Sequence, residues 1–109
     1  MIQHVSLECH RDDADAHRSF WSALGFTEVT PPESLRERSV WLQSGATQIH
    51  LLWADEPVVP PQGHVAVCVP DLDALAIEME ERTQHWGERR VYARAPGGHV
   101  VELFETPPG

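Results

Sequence analysis

The sequence predicts an α+β fold built from two βαβββ modules, the second of them shortened, and three observations carry that prediction. First, His4-Val5-Ser6-Leu7 and His64-Val65-Ala66-Val67 read as the same strand 60 residues apart, each leading into a helical stretch that opens at acidic residues, Asp12-Asp13 or Asp71 and Asp73. Second, the stretch from Gly45 to Leu52 aligns with that from Gly97 to Phe104 at an offset of 52, which sets Gly45 over Gly97 and His50 over Glu102. Third, the fall in offset from 60 to 52 removes eight residues between the second helix and the last hairpin. A strand is expected to be short or missing there.

Each element has a local reason. Ile2 to Glu8 alternates, with Val5 and Leu7 on one face and His4, Ser6 and Glu8 on the other, the period of a half-buried strand. From Asp12 to Leu24, Ala16, Phe20, Ala23 and Leu24 recur at helical spacing, and Gly25 supplies the stop. Phe26 to Thr30 reads as a short strand closed by Pro31-Pro32. Ser39 to Gln43 and Thr47 to Trp53 form a hairpin turned by Ser44-Gly45. Asp55 to Gly63, with Pro57, Pro60 and Pro61, is a stiff extended linker between the modules. In the second module His64 to Val69 is a strand, and Leu72, Leu75, Ala76 and Met79 share one face of a helix opened by Pro70-Asp71. Arg89 to Arg94 and His99 to Phe104 close the chain as a hairpin across Pro96-Gly97-Gly98. The modules therefore span about 1–54 and about 63–109, joined by a linker of about 55–62, within a single domain of 109 residues.

Composition excludes several classes of function. A formal net charge of -9 is unsuited to nucleic acid or an anionic membrane, both of which need a basic surface. No apolar run approaches the roughly 20 residues of a spanning helix. The first 15 residues carry Glu8, Asp12, Asp13 and Asp15 where a signal peptide is basic and then apolar, so a cytoplasmic protein is expected. Cys9 and Cys68 form no framework of spaced pairs and read as reduced thiols. All eight basic residues are arginine, so chemistry that uses a lysine amine is excluded.

Parity ties the strands to chemistry. If Val5, Leu7, Ile49, Leu51, Val65, Val67, Val101 and Leu103 face the helices, period two sends His4, His50, His64 and Glu102 to the opposite face. Ser6, Gln48, Ala66, Cys68, Val100 and Phe104 share it, a mixed lining that reads as a cavity wall. Burying Glu102 beside Val100 and Phe104 as a bare carboxylate costs several kcal/mol, and a cation removes that penalty.

These residues resemble the vicinal oxygen chelate superfamily, which includes glyoxalase I, bleomycin-resistance proteins, extradiol dioxygenases and fosfomycin-resistance enzymes. The resemblance covers essentially the whole chain. It is carried by His4-Val5, by Phe20-Trp21 through Leu24-Gly25-Phe26, by Gln48-Ile49-His50-Leu51, by Gly63-His64-Val65-Ala66, and by Pro96-Gly97-Gly98 running into Val101-Glu102-Leu103. It implies a glyoxalase-like fold in which each module curls its mixed sheet around a metal-centred cavity, and a homodimer whose sites draw on both chains. His4, His64 and Glu102 fall on the positions of the family's two histidines and one carboxylate, and His50 on a fourth position that is often Glu or Gln. Ala95 stands where the family usually has Asp before the proline.

Two or three imidazoles with one carboxylate suit Fe, Mn, Co, Ni or Zn rather than Ca or Mg. By analogy with glyoxalase, Glu102 is expected to serve both as ligand and as catalytic proton acceptor. His10, His17, His85 and His99 are expected to be exposed, and Arg90 and Arg94 are candidates for holding an anionic substrate group. Two function classes follow. One is a metal-dependent lyase, isomerase or dioxygenase acting on a small molecule with vicinal oxygens. The other is a metal-free protein that sequesters an antibiotic, as bleomycin-resistance proteins do, to which the acidity and four tryptophans are suited.

Overall fold

The computed structural model describes residues 1–107, so the expected end of the second module, at 109, lies outside them. The first module runs β1 (His4–Cys9), α1 (Ala14–Ala23), β2 (Thr27–Val29), β3 (Ser39–Ser44) and β4 (Thr47–Trp53). The second contains β5 (Val65–Cys68), β6 (Glu80–Arg82), β7 (Arg90–Arg94) and β8 (Val100–Phe104). They form two four-stranded sheets of matching topology, β1-β4-β3-β2 and β5-β8-β7-β6. In each, the first and last strands of the module pair in parallel and the remaining pairs are antiparallel, and neither sheet closes into a barrel.

Helix α1 ends as its sequence requires. Leu24 caps it, Gly25 follows at φ 93, and the Phe26 and Gly25 amides return to the carbonyls of Trp21 and Ser22 at 3.0 Å each. That is a Schellman ending, which needs a left-handed residue just past the cap. Its accompanying apolar contact is the edge-to-face pair of Trp21 and Phe26, with ring centroids 5.5 Å apart. Helix α1 is preceded by a 3-10 turn over Arg11–Asp13, so the expected helix from Asp12 begins as a tighter turn.

The helix expected in the second module is absent. A single 3-10 turn, Leu72–Ala74, is opened by the Asp71 carboxylate accepting the Asp73 amide at 3.0 Å, and at Leu75 the backbone is already extended (φ -79, ψ 132). Leu75, Ile77 and Met79 then turn inward while Ala76, Glu78 and Glu80 are exposed, which is strand parity. The physical reason is reach. The segment must cross from β5 at one edge of its sheet to β6 at the other, about 14 Å at three strand spacings. Extended chain covers that in about five residues, whereas a helix advances about 1.5 Å per residue. The eight-residue loss thus falls on the helix, and the strand survives as the three residues of β6.

One cluster of buried apolar side chains draws on both sheets, from Trp21, Leu42, Ile49 and Leu51 to Val91, Val101 and Leu103. The modules also meet through His99, which the sequence reading placed in solvent. It is buried, and its Nε2 donates to the Glu8 carbonyl at 2.7 Å, linking the turn before β8 to the end of β1. His17, likewise expected to be exposed, has no exposed surface. The Trp21 indole N–H donates to its Nδ1 at 3.3 Å, so the ring proton sits on Nε2, which finds no hydrogen-bond partner among the described residues. Both cysteines are free, Cys9 buried and Cys68 exposed, and burial with nearby Asp13 and Glu8 pushes the Cys9 thiol up to about 12. No helix among the described residues is long and apolar enough to cross a membrane.

His17 is expected to make the fold acid-sensitive. Burial, reinforced by His99 and opposed by Asp13 and the nearby Pro96 carbonyl, holds its pKa below the ordinary value of 6.5. The unfolded chain therefore binds the proton first. The stability His17 confers is complete above pH 6.5 and is lost as pH falls from there toward the depressed folded value. Unfolding midpoints in denaturant are expected to drop between pH 7.5 and 5.5, with a shallower drop in His17→Leu. Equal slopes in the two proteins would assign the acid lability elsewhere.

Candidate metal-binding site

The four expected donors lie as two pairs, one on each sheet. Among the described residues no three His, Cys, Asp or Glu side chains gather within reach of one ion. The division follows from topology. His4 and His50 come from the neighbouring strands β1 and β4, while Glu102 on β8 stands beside Ala66 of β5, with His64 just before that strand.

On the first sheet the imidazoles stack. The His50 ring is sandwiched between Trp41, at a centroid distance of 3.9 Å and 3° from parallel, and His4, at 4.1 Å and 14°. The register that puts Trp41 of β3 opposite His50 sets one side of this stack. Glutamines fix the ring protons. His4 Nδ1 lies 2.6 Å from Gln3 Oε1. His50 Nε2 lies 2.7 Å from Gln48 Oε1, and the Gln48 amide in turn donates to Gln43 Oε1 at 2.7 Å. An amide oxygen only accepts, so those ring nitrogens carry the protons, leaving lone pairs on His4 Nε2 and His50 Nδ1. Burial, with the neighbouring His4, lowers the pKa of His50 and keeps it neutral.

On the second sheet His64 Nδ1 donates to the Gln62 carbonyl at 2.8 Å. A neutral His64 therefore turns its Nε2 lone pair on Glu102 Oε1, 3.2 Å away. Two lone pairs facing each other need a positive charge between them, either a second proton on the ring or a metal ion. The spacing suits either, because 3.2 Å is within hydrogen-bond range and cis donors at metal–ligand lengths of about 2.1 Å stand about 3 Å apart. A histidine whose other ring nitrogen is tied to a carbonyl is also the usual form of a metal-ligating one. Within one chain the donors stay two to a sheet, so an ion at either place meets two of them among the described residues.

The cation expected beside Glu102 is partly supplied by the protein itself. Arg90, 8% exposed, donates from Nε to Glu102 Oε2 at 2.5 Å, from Nη1 to the Thr83 carbonyl at 2.9 Å, and from Nη2 to the Tyr92 hydroxyl at 3.2 Å. Burial pushes the Glu102 carboxyl up, but the hydrogen bond and charge of Arg90, joined by a hydrogen bond from His64 when that ring carries its second proton, outweigh it and leave it below its ordinary value. Arg90 is therefore committed to Glu102 and is not free for a substrate anion. The signal for this contact was present in the sequence. Across the β7–β8 hairpin Tyr92 pairs with Glu102 and Arg90 with Phe104, which makes Arg90 and Glu102 diagonal neighbours on one face. The glutamines were legible too, since Gln48 shares a strand face with His50.

A groove of about 990 Å³ lies between α1 and the extended segment, lined by Ala16, Phe20, Ala23, Ile77, Met79 and Tyr92 among others. None of the four donors lines it.

Comparison with known proteins shows the fold. No family model and no curated protein matches the sequence. Among solved structures, a protein from Bacillus anthracis assigned to the glyoxalase family superposes with a TM-score of 0.85 at 23% identity, covering 98% of this chain and 95% of its own. Lactoylglutathione lyase from Agrobacterium tumefaciens gives 0.68 at 24%, covering 96% and 92%. An antibiotic-binding protein from a Streptomyces species gives 0.69 at 18%, covering 98% and 96%. The chain has a glyoxalase-like fold. That fold is shared by a lyase and by an antibiotic binder, so the choice of function falls to the site.

Proposed function

We propose that the chain is a divalent-metal-dependent enzyme, a lyase, isomerase or dioxygenase, acting on a small molecule with adjacent oxygens. In this reading residues 1–109 act as one glyoxalase-like domain, and its site is completed by a second copy of the chain. His4 and His50 of one copy meet His64 and Glu102 of the other. The observation that supports the proposal is the His64–Glu102 pair, an imidazole tied at Nδ1 to the Gln62 carbonyl with its Nε2 3.2 Å from a carboxylate oxygen.

A bound Fe, Mn, Co, Ni or Zn ion would polarise the substrate's oxygens and stabilise negative charge developing on them. The chain's own residues do the rest. Gln3, Gln48 and Gln62 hold the imidazoles in the ligating tautomer, and the Trp41 face keeps His50 from rotating. Glu102 Oε1 is the oxygen available to the ion or to a substrate proton, because Oε2 is held by Arg90.

The second reading, metal-free sequestration of an aromatic ligand, is favoured by one observation: Arg90 already neutralises Glu102. Metal analysis separates the two. The parent protein, offered each ion in turn, is expected to hold about one per chain. His64→Ala and Glu102→Gln are expected to lose it by 10-fold or more while remaining folded. Glutamine is chosen at 102 because its amide oxygen can still accept from Arg90 Nε–H, whereas alanine would leave that donor without a partner. Full metal content in both variants, or none in the parent, would reject the enzyme reading.

A further inference from the structure

We propose that residues 76–79 form a strap that closes onto the free edge of β7, zipping β6 two residues further and shutting the groove beside α1. The inference stands apart from the metal reading, since none of the four donors lines that groove. Register carries it. β6 and β7 pair Arg82 with Arg90, Glu81 with Val91 and Glu80 with Tyr92, and there the ladder stops. Yet β7 runs on to Arg94, and Ile77 and Met79 keep strand parity, packing inward against the core. Two more steps in the same register set Met79 opposite Ala93 and Glu78 opposite Arg94.

Each partner suits the other. The Ala95 N–H donates to the His99 carbonyl at 2.8 Å, so antiparallel alternation turns the N–H and C=O of Arg94 away from β8, toward the strap. Residues 76–79 make no backbone–backbone hydrogen bond among the described residues, which leaves Glu78 free to meet them. On the inner face the small, buried Ala93 and Ala95 leave room for Met79 and Ile77. On the outer face Glu78 comes opposite Arg94, and neither enters an ion pair among the described residues. Pro96 has no N–H, so the ladder ends there. Arg89 grips Asp73 at 2.7 Å and Glu81 at 2.9 Å, which holds both ends of the strap and lets its middle move alone. Strap and β7 are two walls of the groove and α1 is the third, so closure seals the apolar surface of Ala16, Phe20 and Ala23.

Amide hydrogen exchange and Nile red fluorescence test the strap in the full chain without metal. The proteins are the parent, Glu78→Lys, and Glu78→Lys combined with Arg94→Glu; both positions are exposed, so the variants are expected to fold. In the closed strap the amides of residues 78 and 94 point across the ladder, while that of Met79 points away. In the parent the first two are expected to exchange about tenfold more slowly than the third, each relative to its rate in an unfolded chain. Glu78→Lys sets like charges face to face and should erase that difference, and the double reversal should restore it. Nile red, neutral and apolar, should brighten with Glu78→Lys as the groove opens and return to the parent's level in the double variant. Three amides that exchange alike in the parent would overturn the inference. So would protection indifferent to the charge changes, or dye fluorescence equal in all three proteins.

Discussion

Mixing two metal-dead chains is expected to restore metal binding. One chain carries His4→Ala and His50→Ala, the other His64→Ala and Glu102→Gln, and neither alone should hold a tight ion. If each site takes its first pair from one copy and its second from the other, a heterodimer has one site with all four donors intact and one with none. Random pairing makes half the dimers heterodimers, so the mixture should regain about a quarter of the parent's metal per chain. The reasoning comes from the separation of the pairs on two sheets that do not close on each other, with no triad of donors among the described residues. A two-fold axis is the simplest operator that sets a first-module face of one copy against a second-module face of another. The measurement is elemental analysis of the two chains unfolded and refolded together, with molecular mass in solution alongside. A parent that binds metal and a mixture that binds none would place the whole site within one chain.

The fold was legible because its signals were redundant. Strand period, a glycine helix stop and the repeated Gly-to-ligand spacing all pointed to two related modules, and the two sheets have matching strand orders. The second helix was misread because two periods fit the same residues. Leu72, Leu75, Ala76 and Met79 satisfy a helix, while Leu75, Ile77 and Met79 satisfy a strand, and Ile77 is the residue that separates them. A helix would have put it on the polar face, whereas in the extended segment it packs against the core. Periodicity alone could not weigh the length of chain against the width of the sheet it had to cross.

The candidate site was legible in a different sense. Parity grouped the four donors on the strand faces opposite Val5, Ile49, Val65 and Val101, but no parity rule says whether two such faces belong to one chain or two. The buried charge at Glu102 was read as calling for a cation from outside, and Arg90 answers it from within. Histidine burial was read from sequence neighbours, which fails wherever two modules meet. His99 sits beside a glycine turn and yet is covered by the end of β1, and His17 is covered by tertiary packing.

Trp21→Ala is expected to remove most of the protein's stability without touching the candidate site. Trp21 has no exposed surface and meets Phe20 and Phe26 edge to face, at 5.2 and 5.5 Å between centroids. Truncating a buried tryptophan costs about 3–5 kcal/mol, against a total of about 5–15 kcal/mol for a typical domain. A second loss follows through His17. The Trp21 indole N–H is its hydrogen-bond donor, so both ring nitrogens would be buried without a partner, at roughly 1–3 kcal/mol more. Phe26 would also lose the apolar partner of the helix ending, loosening the turn that starts β2. Trp86→Ala is the control, because Trp86 is 38% exposed and covers the buried Phe104 and Arg90 only from outside. Its unfolding midpoint in denaturant should move by about 1 kcal/mol or less. A Trp21→Ala protein as stable as Trp86→Ala would mean that α1 is not held by its buried face, and the account of how the two sheets share one core would fail with it.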